Sequence, residues 1–200
     1  MEVLVVPTGV ANTASVTAAL NRLGALPRPS TDAAELAAAP AVVLPGVGAF
    51  GAAVERLDEL GLRGALRERL AAGRPTLSIC LGLQLLCASS EESPGARGLG
   101  VVDAKVTRLP AGLRVPQLGW NLVTPVRSEL LEAGYAYFAN TYCLGTLPPA
   151  WGGAVTDYGG PFASALERGA VLACQFHPEI SGVYGACLLQ RWLARAAEVA

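Results

Sequence analysis

Metal ligands, charge and long hydrophobic runs are all scarce in this sequence of 200 residues. It has one histidine, His177, and five scattered cysteines without a Cys-x-x-Cys pair. A structural zinc site takes about four closely spaced Cys or His ligands, so we expect no metal. Odd, scattered cysteines do not indicate a disulfide framework either, and the chain is expected in the reducing cytoplasm.

Charge is low and balanced. Lys and Arg total 15 and Asp and Glu total 16, which gives a net charge of −1. Because binding to a phosphate backbone needs a basic face, no nucleic-acid partner is expected. No apolar run reaches the ~18 residues of a membrane span, and the first residues lack the basic region of a signal peptide. No membrane association is expected.

Hydrophobic residues make up 52% of the chain, enough to exclude disorder and to build a sizeable core. No linker or repeat divides the sequence, so residues 1–200 are predicted to form a single domain. In the first half, short apolar runs alternate with helical patterns. Strands are predicted at 3–6, 41–44 and 76–79, and helices at 16–23, about 50–60, about 62–72 and from Gly82 onward. This alternation is typical of an α/β, doubly wound, mostly parallel sheet with sites at the carboxyl ends of its strands.

After about Leu99 the pattern changes to short strand candidates between Pro and Gly turns. These candidates are residues 101–109, 118–124, 136–140 and 154–157. Segments 162–167 and 171–176 flank Arg168-Gly169, which indicates a hairpin, and a last helix is predicted at 183–197. The second half therefore predicts a small antiparallel annex.

A small nucleophilic side chain, Cys80, stands between the predicted strand 76–79 and the following helix, with Gly82 two positions on. This is the pattern of a nucleophile elbow, in which a tight strand-to-helix turn lifts the nucleophile above the sheet. The helix amino terminus would favour the thiolate, and the Leu81 N–H would face an oxyanion. From this segment alone a buried core thiol, the usual state of a free cysteine, is an equal alternative.

The segment Gln-Phe-His-Pro-Glu at 175–179 ends a predicted strand. In an extended segment, residues i and i+2 point the same way about 6.5–7 Å apart, and Pro178 disfavours a helix there. Glu179 would then orient His177 while His177 takes a proton from Cys80. A lone histidine is usually structural, but the sequence offers Cys80 no other imidazole base.

A glycine-rich loop, Pro45-Gly46-Val47-Gly48, follows the predicted strand 41–44. Glycine permits positive φ and close approach of the backbone to a ligand, so the loop could offer N–H groups to a phosphate or an oxyanion. It lacks the Gly-x-x-x-x-Gly-Lys-Ser/Thr arrangement of a P-loop. Taken alone, the loop is more simply interpreted as a plain turn.

Together, the Cys80 elbow, the His-Pro-Glu segment and the glycine-rich loop resemble the class I (triad) glutamine amidotransferase family. Within it, segments 44–50 (Leu-Pro-Gly-Val-Gly-Ala-Phe), 115–121 (Val-Pro-Gln-Leu-Gly-Trp-Asn) and 137–142 (Tyr-Phe-Ala-Asn-Thr-Tyr) are similar to the glutaminase subunits of imidazole glycerol phosphate synthases. The resemblance runs from Thr8 to the terminal helix and covers nearly the whole chain. It implies a flavodoxin-like class I amidotransferase fold.

This resemblance implies a Cys-His-Glu triad that hydrolyses L-glutamine to glutamate and ammonia. It makes Cys80 the nucleophile, His177 the base and Glu179 the orienting acid. The oxyanion N–H groups would come from Val47 and Leu81, and no metal or organic cofactor is implied. The implied glutamine-binding positions are Gly46, Gly48, Gln84, Thr141 and Tyr142.

The resemblance also implies a partner protein, a (β/α)8-barrel cyclase subunit that receives the ammonia. That subunit makes imidazole glycerol phosphate and an aminoimidazole carboxamide ribonucleotide in histidine biosynthesis. Asn12 and Trp120 are expected near the interface between the two subunits.

Four residues depart from the family's pattern, and none belongs to the triad. Ser78 replaces a Gly of the elbow. Gln117 and Asn140 each replace a His, which is consistent with those histidines being non-catalytic supports. Ile180 replaces a Lys that is thought to face the partner, which removes the charge for a salt bridge there.

Other functions share parts of this pattern. The glutaminase subunit of pyridoxal phosphate synthase has the same triad, but it would show Gly-Gly-Glu-Ser where this chain has residues 45–48. A non-catalytic, amidotransferase-like binding subunit would not need the complete triad. Reaction of Cys80 with a glutamine-analogue electrophile separates such a binding protein from an enzyme. A flavodoxin-like carrier fits the fold alone, and a fold does not imply a function.

Overall fold

Strands and helices alternate along the first half of the chain in the computed structural model, which describes residues 1–8 and 13–199. The strands and helices predicted for this half are present, with ends that shift by a few residues. The elements are β1 (Glu2–Val5), α1 (Thr13–Arg22), β2 (Leu26–Pro29), α2 (Ala33–Ala38), β3 (Val42–Gly46), α3 (Phe50–Glu59), α4 (Arg63–Ala71), β4 (Thr76–Cys80) and α5 (Leu81–Leu85).

The second half adds further strands to the same sheet, and most of their pairings are antiparallel. The elements are β5 (Cys87–Ser90), β6 (Val102–Arg108), β7 (Gln117–Val126), β8 (Gly134–Asn140), β9 (Tyr142–Leu144), β10 (Gly152–Asp157), β11 (Pro161–Arg168), β12 (Val171–Cys174) and α6 (Gly182–Val199). From β12 outward the strand order is β11-β10-β7-β8, and each of these pairs is antiparallel. The β11–β12 pair is the hairpin predicted at Arg168-Gly169, where Gly169 takes a φ of +60°.

The parallel part of the sheet has the strand order β2-β1-β3-β4-β12. This is the order of flavodoxin-like, doubly wound sheets, and helices cover both faces. Along β1, Val3 and Val5 pack with α1 and α6, whereas Leu4 packs with α2, α3 and α4 on the opposite face. Within residues 1–8 and 13–199, no helix has the length and apolar character needed to cross a membrane.

Strands β2, β5 and β9 are absent from the sequence-based prediction. β2 contains Pro27 and Pro29, which cannot donate to a ladder and therefore argue against a strand. They are tolerated because β2 lies at the edge of the sheet, beside β1. β9 has three residues and is defined by its pairing with β6 and β11 rather than by a pattern of its own.

The turn from β4 into α5 packs directly against the end of β3. Gly46 pairs in register with Cys80, and an added Cβ on Gly46 would lie 2.8 Å from the Cβ of Leu81. An added Cβ on Gly82 would collide with the carbonyl oxygen of Leu44. Both glycines are therefore required by the close approach of the two backbones.

We expect Gly82→Ala to lower the free energy of unfolding by about 1–3 kcal/mol, because the new methyl group forces α5 away from β3. Chemical denaturation measures the change. Gly64→Ala is the matched control, because Gly64 lies in α4 with open space where its Cβ would be. Alanine there should be neutral or stabilising by up to ~1 kcal/mol. Equal stability of Gly82→Ala and the parent chain would contradict the tight contact.

Candidate active site

Cys80 is the last residue of β4 and stands directly before α5, where the elbow pattern predicts it. Its φ of 55° and ψ of −108° lie in a region that L residues rarely adopt, at a cost of about 1–3 kcal/mol. Pairing of β4 with β3 on one side and β12 on the other holds the turn in this conformation. The result is a thiol that is only 7% exposed yet lines a pocket.

Three other cysteines lie in environments that make a thiol unreactive. Cys87, Cys143 and Cys174 are buried and do not line the pocket. Burial raises the pKa of Cys87 to about 12 and the pKa of Cys143 to about 11. Burial, followed by the charges of Glu179 and Glu167, raises the pKa of Cys174 well above its ordinary value. Because a raised pKa removes the thiolate, these three cysteines are poor nucleophiles.

His177 and Glu179 are in contact through Nδ1 and Oε1 at 2.8 Å, and both side chains are buried. The expectation of an extended segment here is wrong. Strand β12 ends at Cys174, and Pro178 begins a 3₁₀ turn (Pro178–Ile180). Proline suits the first position of such a turn, because its missing N–H would have no partner there. The turn, rather than strand alternation, brings the Glu179 carboxylate to the His177 ring.

The backbone of His177 is tied to β8 and to the start of α6. Its N–H donates to the carbonyl of Tyr137 at 2.9 Å, and the Ser181 hydroxyl donates to the His177 carbonyl at 2.6 Å. The same hydroxyl accepts a hydrogen bond from the Tyr137 N–H at 2.9 Å. Ser181 therefore links the backbone of His177 to β8.

The imidazole of His177 interacts with both Cys80 and Glu179. Burial by itself lowers the pKa of His177, but hydrogen bonding to Cys80 and Glu179 outweighs burial and raises the pKa above its ordinary value. Since Nδ1 is engaged by Glu179, the other ring nitrogen, Nε2, is left for the thiol. An imidazole held in one orientation and readily protonated is suited to take a proton from a thiol.

Cys80 and His177 open onto a pocket of about 270 Å³. This volume is near the lower end for small-molecule pockets, ~300 Å³, and suits a ligand the size of an amino acid. The other predicted site residues that line it are Val47, Gly48, Leu81, Gln84, Thr141 and Tyr142. Across the described ranges, no group of three or more His, Cys, Asp or Glu side chains is placed to hold a metal ion.

Among the described residues, three predicted site residues lie outside the lining of this pocket. Glu179 contacts His177, and Gly46 packs against the elbow. Trp120 lies on β7 with 56% of its surface exposed. Asn12 is outside the residues that the structure describes, so its place at an interface stays a prediction.

Two residues beside the reacting groups are not predicted from the sequence. Glu92 lines the pocket, and its Oε2 accepts a hydrogen bond from the Phe50 N–H at 2.7 Å, at the start of α3. Gln175 is fully buried, and its amide nitrogen lies 3.7 Å from Cys80 Sγ. These pairs are 42 and 95 residues apart in sequence, so no local pattern links them. The sequence feature that could have pointed to Gln175 is its position in the 175–179 segment, two residues before His177.

Two departures from the family's pattern lie opposite each other. Gln117 of β7 pairs with Asn140 of β8 in the antiparallel register, and both are buried. Asn140 Nδ2 donates to the Tyr142 carbonyl at 3.1 Å. Within the described part of the chain, Asn140 Oδ1 and Gln117 Oε1 have no hydrogen-bond partner. Because cross-strand partners share one face of a sheet, the two replacements alter a single place beside the pocket.

Comparisons of sequence point to one family. The family described as glutamine amidotransferase class-I matches residues 8–195. The imidazole glycerol phosphate synthase subunit HisH of Symbiobacterium thermophilum is 45% identical over 195 residues, which cover 95% of this chain and 92% of that protein. The HisH subunit of Deinococcus radiodurans is 44% identical over 195 residues, which cover 94% of this chain and 91% of that protein.

Solved structures share the fold. A crystal structure of a glutamine amidotransferase superposes with a TM-score of 0.74 at 23% identity, over 98% of each chain. A glutamine amidotransferase from Thermotoga maritima superposes with a TM-score of 0.58 at 18% identity, over 100% of this chain and 83% of that one. The family match and the HisH relatives show that this chain belongs to the class I glutamine amidotransferases and, within them, to the HisH family of glutaminase subunits.

Proposed function

We propose that this chain hydrolyses the side-chain amide of L-glutamine at Cys80 and supplies the ammonia to a cyclase subunit of imidazole glycerol phosphate synthase. The observation that carries the proposal is the buried His177–Glu179 contact of 2.8 Å beside Cys80, at a pocket that suits an amino acid. A thiol, an imidazole and a carboxylate in this order are the parts needed for covalent acyl transfer. The relatives' names, as subunits of that synthase, support the partner.

The first half of the reaction forms a thioester. His177 takes the proton of the Cys80 thiol, and Sγ attacks the amide carbon of glutamine. Backbone N–H groups of Val47 and Leu81, both at the pocket wall, stabilise the developing oxyanion. His177 then donates its proton to the amide nitrogen, the C–N bond breaks and ammonia leaves. Glu179 keeps the ring oriented and stabilises its charged form.

The second half releases glutamate. A water molecule attacks the thioester carbon while His177 takes one of its protons. The C–S bond breaks, glutamate departs, and His177 returns the proton to the Cys80 sulfur. One base serves both halves, and the scheme uses no metal or organic cofactor.

Glutamine recognition needs contacts to its two charged groups and its amide. The proposed binding residues are Gly48, Gln84, Thr141 and Tyr142, which line the pocket, together with Gly46, which lies outside the lining and pairs in register with Cys80. Gly48, with a φ of +94°, lets the backbone of its loop come close to a ligand. Glu92 adds a carboxylate at the pocket wall, and we assign it to the α-ammonium group by charge complementarity.

An exposed apolar patch on β7, formed by Leu118, Trp120 and Leu122, is the proposed docking face for the cyclase. These side chains alternate along the strand and so share one face. Leu118 pairs with Ala139 of β8, and Ala139 lines the pocket. A partner seated on this patch would therefore border the place where ammonia forms. Large exposed apolar patches typically mark interaction sites.

The patch continues onto the start of α6. Ile180 and Val183 are exposed on either side of Gly182, and Gly182 lies beside the Trp120 ring. Since Ile180 stands where the family has a lysine, we propose that the contact with the cyclase is apolar at this point.

We further propose that residues 1–200 act as a single amidotransferase domain and work in the cytoplasm. The family match over residues 8–195 supports one domain. Free thiols at all five cysteines suit a reducing compartment.

Cys80→Ser and His177→Ala should each lower glutamine hydrolysis by more than about 10³-fold, because each removes a group that forms or activates the nucleophile. Synthesis by the complex from added ammonium salt should survive, since it bypasses this site. Glutamate release and cyclase product formation are measured in parallel. Near-parental glutamine hydrolysis by either variant would refute the proposed roles.

Glu179→Gln should lower the pH at which His177 titrates, because it removes a carboxylate that raises the pKa of His177. His177 is the one histidine of the chain, so its imidazole gives a single NMR titration curve. Glutamine hydrolysis should fall less than in His177→Ala, since the neutral amide still contacts the ring. A titration curve identical to that of the parent chain would show that Glu179 does not stabilise the imidazolium.

Trp120→Ala should weaken binding of the cyclase at least ~30-fold, because a large aromatic side chain at the centre of an interface is a typical hot spot. Isothermal titration calorimetry with the purified cyclase measures the effect. Leu26→Ala is the control, since Leu26 is similarly exposed but lies on β2 at the far edge of the parallel strands. Equal affinities for Trp120→Ala and Leu26→Ala would exclude β7 as the docking face.

A further inference from the structure

Gln175 lies next to the reacting thiol but has no part in the reaction as described above. Its side chain is fully buried, and its backbone N–H donates to the Ser164 carbonyl at 2.8 Å, so the residue extends the path of β12 along β11. Its Nε2 donates to Cys80 Sγ at 3.7 Å, within reach of the large sulfur atom. Its Oε1 accepts a hydrogen bond from Gln84 Nε2 at 3.0 Å.

The orientations of the Gln84 and Gln175 side-chain amides follow from the Tyr142 carbonyl. The Tyr142 carbonyl can only accept, so Gln84 must turn its NH₂ group towards it, at 3.0 Å. The same nitrogen donates to Gln175, which must therefore present Oε1. With Oε1 engaged, the NH₂ group of Gln175 faces the sulfur. Reversing the Gln175 amide would set two NH₂ groups against each other and a carbonyl oxygen against Sγ.

A hydrogen-bond donor beside a sulfur favours the thiolate over the thiol, because an anion accepts a hydrogen bond more strongly than the neutral form does. A local donor is important here because α5 has only five residues, which limits the effect of its dipole. His177 and Gln175 therefore have complementary roles. His177 removes the proton from Cys80, and Gln175 holds the resulting anion.

We propose that Gln175 is a positioning residue that holds the Cys80 thiolate, in an orientation set by Gln84 and the Tyr142 carbonyl. The inference rests on the glutaminase activity proposed above. We call this chain of hydrogen bonds, from Tyr142 through Gln84 and Gln175 to Cys80, the amide relay. Because Gln84 lines the glutamine pocket, the amide relay joins the binding site to the nucleophile. Displacement of the Gln84 amide frees Gln175 to rotate and removes the donor from the sulfur.

Gln175→Met tests the proposal, because methionine resembles glutamine in length and volume but has no N–H. The readout is the pH profile of Cys80 alkylation by iodoacetamide, followed by mass spectrometry on the full chain. A Cys187→Ser background removes the exposed thiol. We expect the midpoint of the profile to rise by about one pH unit, so that the alkylation rate at any pH below the parental midpoint falls about tenfold. A loss of packing alone would admit water to the thiol and lower this midpoint rather than raise it.

Glutamine turnover by the complex with the cyclase gives a second readout. At a pH below the parental alkylation midpoint we expect kcat to fall about tenfold, in line with the smaller thiolate fraction. KM should change little, because Gln84 keeps its hydrogen bond to the Tyr142 carbonyl. A rise in KM with an unchanged kcat would assign Gln175 to glutamine binding and overturn the proposal.

Gln117→Met is the matched control, because it removes another buried amide, on β7, outside the amide relay. Its alkylation profile should coincide with that of the parent chain. A Gln175→Met chain that keeps the parental circular dichroism spectrum and also keeps the parental midpoint would overturn the proposal.

Gln84→Met keeps the proposal testable if Gln175→Met does not fold. It removes the group that sets the direction of the Gln175 amide and leaves Gln175 in place. The midpoint should shift in the same direction by a smaller amount, and an unchanged midpoint would overturn the amide relay. Failure of the proposed function has a different signature. In that case the parent chain with its cyclase releases no glutamate from glutamine, whatever the alkylation profile.

Discussion

Cys80 stands above the sheet because the turn that carries it packs backbone to backbone against β3. Gly46 and Gly82 leave the space for this contact, and the pairing of β4 on both sides holds a φ of 55° at Cys80. Strand pairing within the sheet, rather than any contact within the site, offsets the backbone strain of about 1–3 kcal/mol at Cys80. The direction of Sγ then determines where His177 and Gln175 must lie, so the rest of the site depends on this one contact.

The site also depends on a sheet of mixed direction. Strand β12 pairs in parallel with β4 and antiparallel with β11, so its carboxyl end is where the two halves of the molecule meet. The parallel half contributes Cys80 and the loop with Gly48, and the antiparallel half contributes Tyr142. The segment after β12 contributes His177. The site lies at the carboxyl ends of the parallel strands, which is the edge where doubly wound sheets generally bind ligands.

Local signals in the sequence account for much of this arrangement. Apolar runs and helical stripes predict β1, β3, β4 and the helices that cover them. The sequence also singles out Cys80, His177 and Glu179, because their chemistry is conspicuous in a chain with a single histidine. The structure brings these three residues together at one pocket, and their catalytic roles remain a prediction. Features that depend on distant partners are not found. β2 carries prolines that only an edge position tolerates, and the 3₁₀ turn after His177 replaces an expected extended segment. Gln175 is recognised only in the folded structure, where its side chain contacts Gln84 and Cys80.

The late position of β12 in the chain has a consequence for synthesis on the ribosome. Strand β4 and its thiol emerge long before β12, which lies near the carboxyl end. Until β12 and the segment after it arrive, Cys80 of the nascent chain is without its contacts to His177 and Gln175. During the same interval the central strand β4 has an open edge, which is a template for misassociation. Insertion of β12 between β4 and β11 closes that edge and brings the segment with Gln175 and His177 to Cys80, so protection of the edge and assembly of the site depend on the same strand.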